Sequence, residues 1–372
     1  MKVTKLVFLC CLCPLLRCHG ASVRLLTGES YTGRVEYLGG ALTVTPSHGA
    51  AVRVDLSNLL EAVIIASPAE SGGMIPAGVF LANGSFIAGK STPFNAPTVK
   101  IGTSTTVSGS SIAQVVYAPV RRENLPASGR TGALLPSGQF FAGMVGGVSE
   151  NRVLVNSLLI GPQRLVPGAE VTCVAIRDIQ SGPVSYEVCA KDGSIYPANN
   201  LRFEADGVAF TDSILGNIKI KGADLVEIRA ASGRYQALVE ATPAQIAAPP
   251  GANPGNALKV QPETNAATPE GVAALLALAN TTVTYAIPPG LSVFSCSVAV
   301  PKDAPAGARM VFTVYADGRV MSVSPIIGAG EPPQAVRVNL GMARALALRT
   351  EPMGPASGGA AGKWIEPILL RP

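Results

Sequence analysis

Histidine and tryptophan are almost absent from this sequence. There are two histidines, His19 and His48, and one tryptophan, Trp364. Nucleophilic catalysis by serine or cysteine needs a histidine base beside the nucleophile, and zinc sites need histidine or cysteine ligands at regular spacing. The 24 acidic residues are scattered, mostly beside turns, as solvated residues usually are. We therefore expect no catalytic residues, no metal site and no cofactor, and we expect that the protein is not an enzyme.

Charge is also scarce. Charged residues make up 14% of the chain and aromatic residues 5%, and no basic stripe is interleaved with aromatics. Nucleic acid is therefore not an expected partner. The 48% apolar residues, 40 glycines and 30 prolines are typical of short strands separated by turns. Because 372 residues can form more than one core, the sequence predicts an all-β protein of several domains.

Long apolar runs are missing except at the start of the chain. Two lysines precede an apolar run at residues 6–16, and small residues follow it. This is the pattern of a signal peptide, which we place at residues 1–20. A lipoprotein signal acylated at Cys18 is the alternative, although Arg17 stands where such signals have a small residue. No later segment approaches the roughly 18 apolar residues of a membrane span, so we expect a secreted or cell-envelope protein without one.

Few cysteines remain once the predicted signal peptide is set aside. Seven are present, and only Cys173, Cys189 and Cys296 lie beyond residue 20. An odd number cannot pair completely within one chain. Cys173 and Cys189 flank one predicted turn region and could form a disulfide in an oxidising compartment. The alternative is that all three are small buried hydrophobic residues.

A repeat occupies the first two thirds of the chain. The segments LTGESYTG, LANGSFIAG, LPSGQFFAG and AKDGSIYPA place a turn glycine every 54 to 56 residues, at Gly28, Gly84, Gly138 and Gly193. Each repeat also ends in a similar apolar segment, which opens at Leu59, Ile112, Val171 or Leu225. Runs rich in valine and isoleucine between the turns predict strands. The repeats themselves resemble no known family.

Four β units are therefore predicted, at residues 23–66, 76–120, 130–179 and 185–239. A period near 55 residues is too long for the common solenoids. It fits one small SH3-like or Sm-like barrel per unit, or one blade per unit of a small propeller. The sequence leaves both interpretations open.

The composition changes after the repeats. Residues 240–267 are rich in proline and alanine and lack aromatics, which predicts a linker. In TPEGVAALLALAN, Thr268 can cap a helix whose first residue is Pro269, so one short helix is predicted there. From Thr282 onward, apolar alternation separated by polar turns predicts a β-sandwich, and we place this domain at residues 268–372.

Four segments of this last region occur in a distinctive order: TVTYAIPPGLSVFSCSVAV, MVFTVYADGRVMSVSPII, AVRVNLGMARALALRT and GKWIEPIL. Over about residues 258–372 this order resembles the NPCBM family, a carbohydrate-binding module found attached to some glycoside hydrolases, including family 98. The resemblance implies a jelly-roll-like sandwich with a non-catalytic role toward sugars. The chain departs from the family pattern in two places. EGVAALLALAN lacks the family's histidine, and GGAAGK replaces its Asp and His before Trp364.

A sugar site needs an aromatic face for the apolar side of the ring and planar polar groups for its hydroxyls. In the resembling region the aromatic candidates are Trp364 and Tyr315, and the polar candidates are Asp317, Arg319 and Asn339. Structural roles are the alternative. The tryptophan can fill the core, the aspartate can open a tight Asp-Gly turn, and the other two polar residues can simply be solvated.

Two functions from different classes follow from these observations. The first is a secreted, non-catalytic carbohydrate-binding protein whose repeats act as a spacer or an interaction platform. The second is an extracellular or envelope structural or adhesion protein whose β units contact other proteins, because exposed apolar surface on β units often marks association sites.

Overall fold

The computed structural model describes residues 21–371, except 39, 65–73, 128, 150, 181 and 266–267. The predicted signal peptide therefore lies outside the described residues. Nearly all regular structure in the described part is β-strand, which confirms the all-β prediction. The only α-helix there, α1, has four residues, Pro254–Ala257, and no helix in this part has the length and apolar character needed to cross a bilayer.

The repeats form units 1 to 4 in chain order, and their predicted boundaries stay predictions. Unit 1 contains β1 to β5: Ala21–Leu25, Ser30–Leu38, Ala41–Pro46, Val52–Val54 and Leu59–Val63. Unit 2 contains β6 to β12: Met74–Ile75, Gly78–Leu81, Phe86–Ala88, Thr98–Ile101, Thr105–Ser108, Ile112–Val116 and Val120–Arg121. Unit 3 contains β13 to β18: Gly132–Leu134, Phe140–Ala142, Met144–Ser149, Arg152–Ser157, Gly161–Leu165 and Cys173–Ala175. Unit 4 contains β19 to β24: Tyr186–Ala190, Ile195–Ala198, Arg202–Glu204, Gly207–Asp212, Gly216–Lys221 and Leu225–Ala230.

Every unit opens with the same tight turn. The turn glycine has a φ of 82° to 94°, a left-handed conformation that side chains with a Cβ rarely adopt. Its backbone N–H donates to the carbonyl three residues earlier, at 2.9 Å in each of the four units. The turn joins an opening strand (β1, β7, β13 or β19) to a second strand that pairs with it antiparallel. The repeated turn glycines therefore mark one recurring hairpin.

Each unit also closes in the same way. A closing strand (β5, β11, β18 or β24) pairs antiparallel with the opening strand of its own unit. In units 1, 2 and 4 a short 3₁₀ helix precedes it directly, at Leu56–Asn58, Gly109–Ser111 and Gly222–Asp224. A further 3₁₀ helix, Arg122–Asn124, follows β12. Similar sequence at both ends of each repeat thus produces similar strand pairing.

The units share one 14-stranded sheet rather than closing into separate barrels. Its order is β14-β13-β18 from unit 3, β11-β7-β8 from unit 2, β20-β19-β24 from unit 4 and β5-β1-β2-β3-β4 from unit 1. Closing strands of neighbouring units pair with each other, β11 with β18 and β24 with β5. No barrel closure occurs among the described strands, because each closing strand has another unit's closing strand on its outer side. The remaining hairpins form smaller sheets of two or three strands.

The C-terminal region forms a sandwich of two antiparallel sheets. Its strands β25 to β36 are Tyr235–Ala237, Gln245–Ala247, Leu258–Asn265, Thr268–Leu278, Thr281–Ala286, Val293–Ala299, Arg309–Ala316, Arg319–Val323, Ile327–Gly328, Gln334–Asn339, Ala345–Pro352 and Ala361–Leu370. One 3₁₀ helix, Pro355–Ser357, precedes β36. The first sheet has the order β27-β28-β36-β30-β34, with β25 on β36. The second has the order β26-β29-β35-β31-β32, with β33 on β31. Apolar residues from both inner faces form the largest core cluster.

Two sequence predictions are wrong in this region. The segment predicted as a short helix is strand β28, which pairs with β27 on one side and β36 on the other. Alanine and leucine have high helix propensities, but propensity differences are below about 1 kcal/mol per residue, and strand pairing on both edges outweighs them. The segment predicted as a linker contains β26, α1 and β27, and β26 pairs with β29. Proline and alanine content therefore did not distinguish an edge strand of the sandwich from a flexible connection.

The sandwich docks onto unit 1. Arg24 of β1 lies 3.2 Å from a carboxylate oxygen of Glu61 and 2.8 Å from one of Glu366 in β36. Glu366 has a φ of 48° and sits in a β-bulge, where Cys296 of β30 faces two residues of β36. Arg337 donates to the Leu26 carbonyl oxygen. Apolar side chains from unit 1, unit 4 and the sandwich form a joint buried cluster, comprising Leu26, Leu60, Ala230, Val293, Ile368 and Leu370.

Candidate functional site

The hairpin β31–β32 carries three of the predicted site residues. Its turn residues Asp317 and Gly318 have φ values of 47° and 77°, the left-handed pair that a two-residue hairpin turn requires. The strands pair from Thr313 opposite Val323 to Ala316 opposite Arg319. The Asp-Gly hairpin inferred from the sequence is confirmed.

Asp317 ties this hairpin to the neighbouring loop. Its carboxylate accepts backbone N–H groups of Arg344, at 3.0 Å, and Ala345, at 2.9 Å. The amide oxygen of Asn339 accepts the Gly341 N–H at 2.9 Å at the start of the same loop. Both side chains therefore order the connection between β34 and β35. These hydrogen bonds give both residues a structural role, and their remaining polar atoms stay exposed at one end of the sandwich.

Tyr315 lies half-buried on the outer face of the second sheet. In the strand register it stands beside Ala347 of β35 and Val320 of β32. Polar residues continue along this face: Thr313 donates to Glu351 at 3.0 Å, and Arg349 forms an ion pair with Glu351 at 3.1 Å. We name this surface the Tyr315 face and define it by Thr282, Thr284, Thr313, Tyr315, Arg349 and Glu351.

Arg349 and Glu351 were missed by the sequence reasoning. The sequence pattern that could have identified them is the alternation in ALALRTEP. Leu346, Leu348 and Thr350 are fully buried, and the residues between them point outward. An aromatic ring beside an arginine and a carboxylate supplies the combination of apolar face and planar polar groups that sugar recognition needs. Arg319 is exposed at the start of β32, and no ion pair of its side chain occurs within the described residues.

Trp364 lies in the core between the two sheets. Only 1% of its surface is exposed, and its indole N–H donates to Thr350 at 3.1 Å. Its ring meets Phe312 edge-on at a centroid distance of 5.2 Å and lies 6.4 Å from Phe294. The buried ring has no free face for a sugar, so Trp364 fills the core, which was the alternative to a sugar-binding role. The structure thus brings Asp317, Arg319 and Asn339 to one end of the sandwich, with Tyr315 close by, and keeps Trp364 apart.

Two open clefts adjoin the sandwich. One has a volume of about 340 Å³ and contains Gln261, Asp303 and Lys363 beside the segment where this chain departs from the family's Asp and His. It offers polar groups and no aromatic ring. The other, of about 490 Å³, lies between the opening turn of unit 1 and the first sheet. Four charged residues line it: Arg24, Glu29, Arg337 and Glu366. Arg24 pairs with Glu366, and Arg337 donates to the Leu26 carbonyl oxygen.

The three cysteines of the described residues, Cys173, Cys189 and Cys296, are free thiols, so the suggested disulfide between Cys173 and Cys189 is not formed. Cys173 lies in β18 of unit 3, whereas Cys189 lies in β19 of unit 4. Burial raises the pKa of each of these two thiols to about 12, which keeps them protonated and unreactive at neutral pH. No group of three or more potential metal ligands occurs in the described ranges.

Residues 252–370 match the family model described as the NPCBM/NEW2 domain. This range begins just before α1 and ends with β36, so it coincides with most of the two-sheet sandwich. No curated protein matches the chain.

Several solved structures are similar over part of the chain. A CBM51 module from Clostridium perfringens GH95, in complex with methyl-galactose, has 16% identity and a TM-score of 0.30, covering 36% of this chain and 99% of that one. The CBM51-2 and INT domains of Clostridium perfringens ZmpB have 11% identity and a TM-score of 0.30, covering 60% of this chain and 45% of that one. The tandem CBM51 modules of a Streptococcus pneumoniae family 98 glycoside hydrolase have 11% identity and a TM-score of 0.30, covering 51% and 72%.

Proposed function

We propose that this chain, whose residues 252–370 form an NPCBM/NEW2 domain, is a secreted carbohydrate-binding protein without catalytic activity of its own. The observation that carries the proposal is the match of that family model to the segment that folds as the sandwich. The family is one of carbohydrate-binding modules, and strands β27 to β36 of the sandwich lie within the matched residues. The β units then act as a spacer or a platform for the sandwich.

The Tyr315 face and the adjoining hairpin end are the sugar site in this proposal. The partly exposed tyrosine ring covers the apolar side of a pyranose, while Arg349 and Glu351 hydrogen-bond its hydroxyls. Arg319 extends the polar surface around the edge of the sheet. Asp317 and Asn339 are positioning residues, because the Asp317 carboxylate and the Asn339 amide oxygen already accept backbone N–H groups of the β34–β35 loop. Trp364 supports the site from below through Phe312, which lies on the same strand as Tyr315.

Secretion belongs to the proposal as well. It is supported by the lysine-led apolar run at residues 6–16 and by the small residues that follow this run. The free thiols of Cys173 and Cys296 are buried, which is compatible with an oxidising compartment because burial shields them from oxidants.

An extracellular structural or adhesion protein is the second candidate. It is favoured by the apolar side chains that unit 3 exposes, among them Leu158 and Leu159 at the tip of a hairpin. In that case the sandwich would keep its fold without a sugar ligand.

The test is a glycan-binding screen with the full chain, followed by titration calorimetry on every hit. We expect Tyr315→Ala to weaken binding at least tenfold, because the ring supplies the apolar half of the site. Arg349→Ala should weaken binding to a comparable degree. Tyr31→Ala is the matched control, since Tyr31 is also a partly exposed tyrosine but lies in unit 1.

Circular dichroism confirms that each variant is folded. Binding that survives both substitutions would place the site elsewhere on the sandwich. A folded chain that binds no glycan would favour the structural or adhesion role.

A further inference from the structure

Neighbouring units in the 14-stranded sheet are related by local two-fold axes. In an antiparallel pair, two equivalent residues can face each other only if such an axis passes between them. Val115 of unit 2 faces Val174 of unit 3, and both are the fourth residue counted from the start of the closing segment. Ala62 of unit 1 and Ile228 of unit 4 are likewise equivalent and also face each other.

The contact between units 2 and 4 follows the same rule at the opposite edge. There the second strands of the two opening hairpins pair, with Phe86 of β8 facing Ile195 of β20. Each of these residues stands two positions after the turn glycine of its unit. Along the sheet, the two types of contact therefore alternate. Units 3 and 2 meet through their closing strands, units 2 and 4 through their second strands, and units 4 and 1 again through their closing strands.

By this alternation, the second strands of the two end units, unit 1 and unit 3, should each pair with a further unit. In unit 1 the second strand β2 is already paired with β3, which pairs with β4, and the opening turn of the unit faces the sandwich. Unit 3 ends the sheet at β14, and the equivalent of Phe86 there is Phe140. β14 pairs only with β13 among the described residues, and its sequence, Phe-Phe-Ala, has none of the charges or prolines that usually protect an edge strand.

A second, independent feature of unit 3 points to the same missing neighbour. The tip of the β16–β17 hairpin consists of Leu158, Leu159 and Ile160, which are 103%, 93% and 60% exposed. Turn tips normally carry Gly, Asn, Asp or Ser. Hydrogen bonds from Leu159 to Ser157 and from the Gln163 side chain to Ile160 hold the tip in shape.

The equivalent tip of unit 4 shows what covers such a surface. Ile214 and Leu215, between β22 and β23, are half-buried because they pack against the core of unit 2. At the base of that tip Asp212 accepts hydrogen bonds from Asn83 and Ser85, which belong to the opening turn of unit 2. In the described residues, one contact between units pairs two second strands, and that contact also buries an apolar tip.

We propose that unit 3 is the dimerisation surface of this protein, and that its partner is unit 3 of a second copy. The two β14 strands pair antiparallel across a two-fold axis near Phe140, as β8 and β20 do within the chain. Each Leu158–Ile160 tip then covers the opening-turn region of the other copy. Such a contact is isologous, so it closes at two chains, and it extends the 14-stranded sheet into one of 28 strands across the dimer.

Sedimentation equilibrium of the full chain over a concentration series tests the proposal. We expect a monomer–dimer equilibrium. The double variant Leu158→Asp/Leu159→Asp should weaken dimerisation at least tenfold, because it places charge on the apolar tip without touching the core. Ala142→Lys, on the exposed end of β14, should weaken it as well, because lysine on an edge strand opposes pairing.

The matched control is Val320→Asp/Val323→Asp. These exposed residues lie on β32, the edge strand of the sandwich, which is the competing surface for pairing. We expect this variant to dimerise like the wild type, and we expect backbone amides of 140–142 to exchange more slowly as protein concentration rises. A dimer that only the β32 variant disrupts would overturn the proposal.

A wild-type chain that stays monomeric at every concentration would also overturn it. A monomer that sediments with vesicles of phosphatidylcholine and phosphatidylglycerol, and loses this in the Leu158→Asp/Leu159→Asp variant, would instead assign the tip to a lipid surface.

Discussion

Trp364 packs against aromatic rings from both sheets and anchors its one polar atom on Thr350. Trp364→Ala should lower the free energy of unfolding by about 3–5 kcal/mol, the usual cost of removing a large buried aromatic side chain. Trp364→Phe should cost less, because it keeps most of the apolar volume and loses only the indole hydrogen bond. Urea denaturation followed by circular dichroism measures both. An alanine variant that keeps its stability but loses sugar binding would instead make the ring a ligand contact.

The sequence could not decide between the two roles of this residue. Trp364 and Ile365 are both buried although they point to opposite faces of β36, because Trp364 lies in the core between the sheets and Ile365 packs with Ala274 and Ala299 of the adjacent strands. Alternation normally identifies the inward face by its apolar residues, and here both faces are apolar. Tyr315 gave a clearer signal, since polar and apolar residues alternate around it on a sheet with one open face.

At the scale of elements, Glu187 connects strands of unit 4 to the 3₁₀ helix Arg122–Asn124 of unit 2. Arg122 donates to both of its carboxylate oxygens, at 2.9 and 3.0 Å, and Arg229 on the adjacent strand β24 donates to one of them. Burial acts to raise the pKa of Glu187, but hydrogen bonds and charge from the two arginines outweigh it and lower the pKa below its usual value. The ionised carboxylate is therefore favoured in the folded state.

This arrangement predicts a pH-dependent contribution to stability. A carboxylate with a lowered folded-state pKa stabilises the fold above its unfolded pKa of about 4.3, and this is lost as pH falls through the folded value. Glu187→Gln should therefore cost about 1–3 kcal/mol at pH 7, and the difference from the wild type should shrink below about pH 4. Urea denaturation at several pH values measures it, with Glu123→Gln, an exposed partner of Arg121, as the control. A difference that is constant down to pH 3 would contradict this account.

Hairpins were the elements that the sequence predicted best. Asp-Gly and Asn-Gly turns fix their conformation within two residues, so local chemistry is sufficient to identify them. Strand β28 was not predicted, because its Pro-Glu start and its alanines and leucines satisfy the local rules for a helix. Its strand conformation is set by β27 and β36, and β36 is more than eighty residues away in the sequence. Pairing at that distance leaves no local signal.

At the scale of the whole molecule, the four-fold repeat was visible in the sequence and the order of the units was not. Turn glycines and closing segments recur because every unit builds the same hairpin and closing strand. The sheet runs through units 3, 2, 4 and 1, an order set by contacts between closing strands and by the single pair Phe86 and Ile195. Such contacts depend on surface shape rather than on periodicity. The repeat length alone could therefore not decide whether each unit forms a barrel or a propeller blade.

The junction between unit 1 and the sandwich decides whether the protein unfolds in one step. Arg24 links β1 to β36, Arg337 links β34 to Leu26, and Leu370 is fully buried in the joint cluster. Because the only tryptophan lies in the sandwich, its fluorescence reports on that domain, whereas circular dichroism reports on all strands. We expect the two signals to change together in urea for the wild type, as in a cooperative transition.

The double variant Arg24→Ala/Arg337→Ala should separate the two signals. Each substitution removes charge-assisted contacts across the junction, worth about 1.5–3 kcal/mol apiece, while the cores on either side are untouched. Arg53→Ala/Arg121→Ala is the control, since both arginines form exposed pairs within their own units. Two separate transitions already present in the wild type would show that the sandwich and the repeats fold independently. In that case the junction would only orient the Tyr315 face relative to the dimer surface of unit 3, and sugar binding would not depend on the repeats.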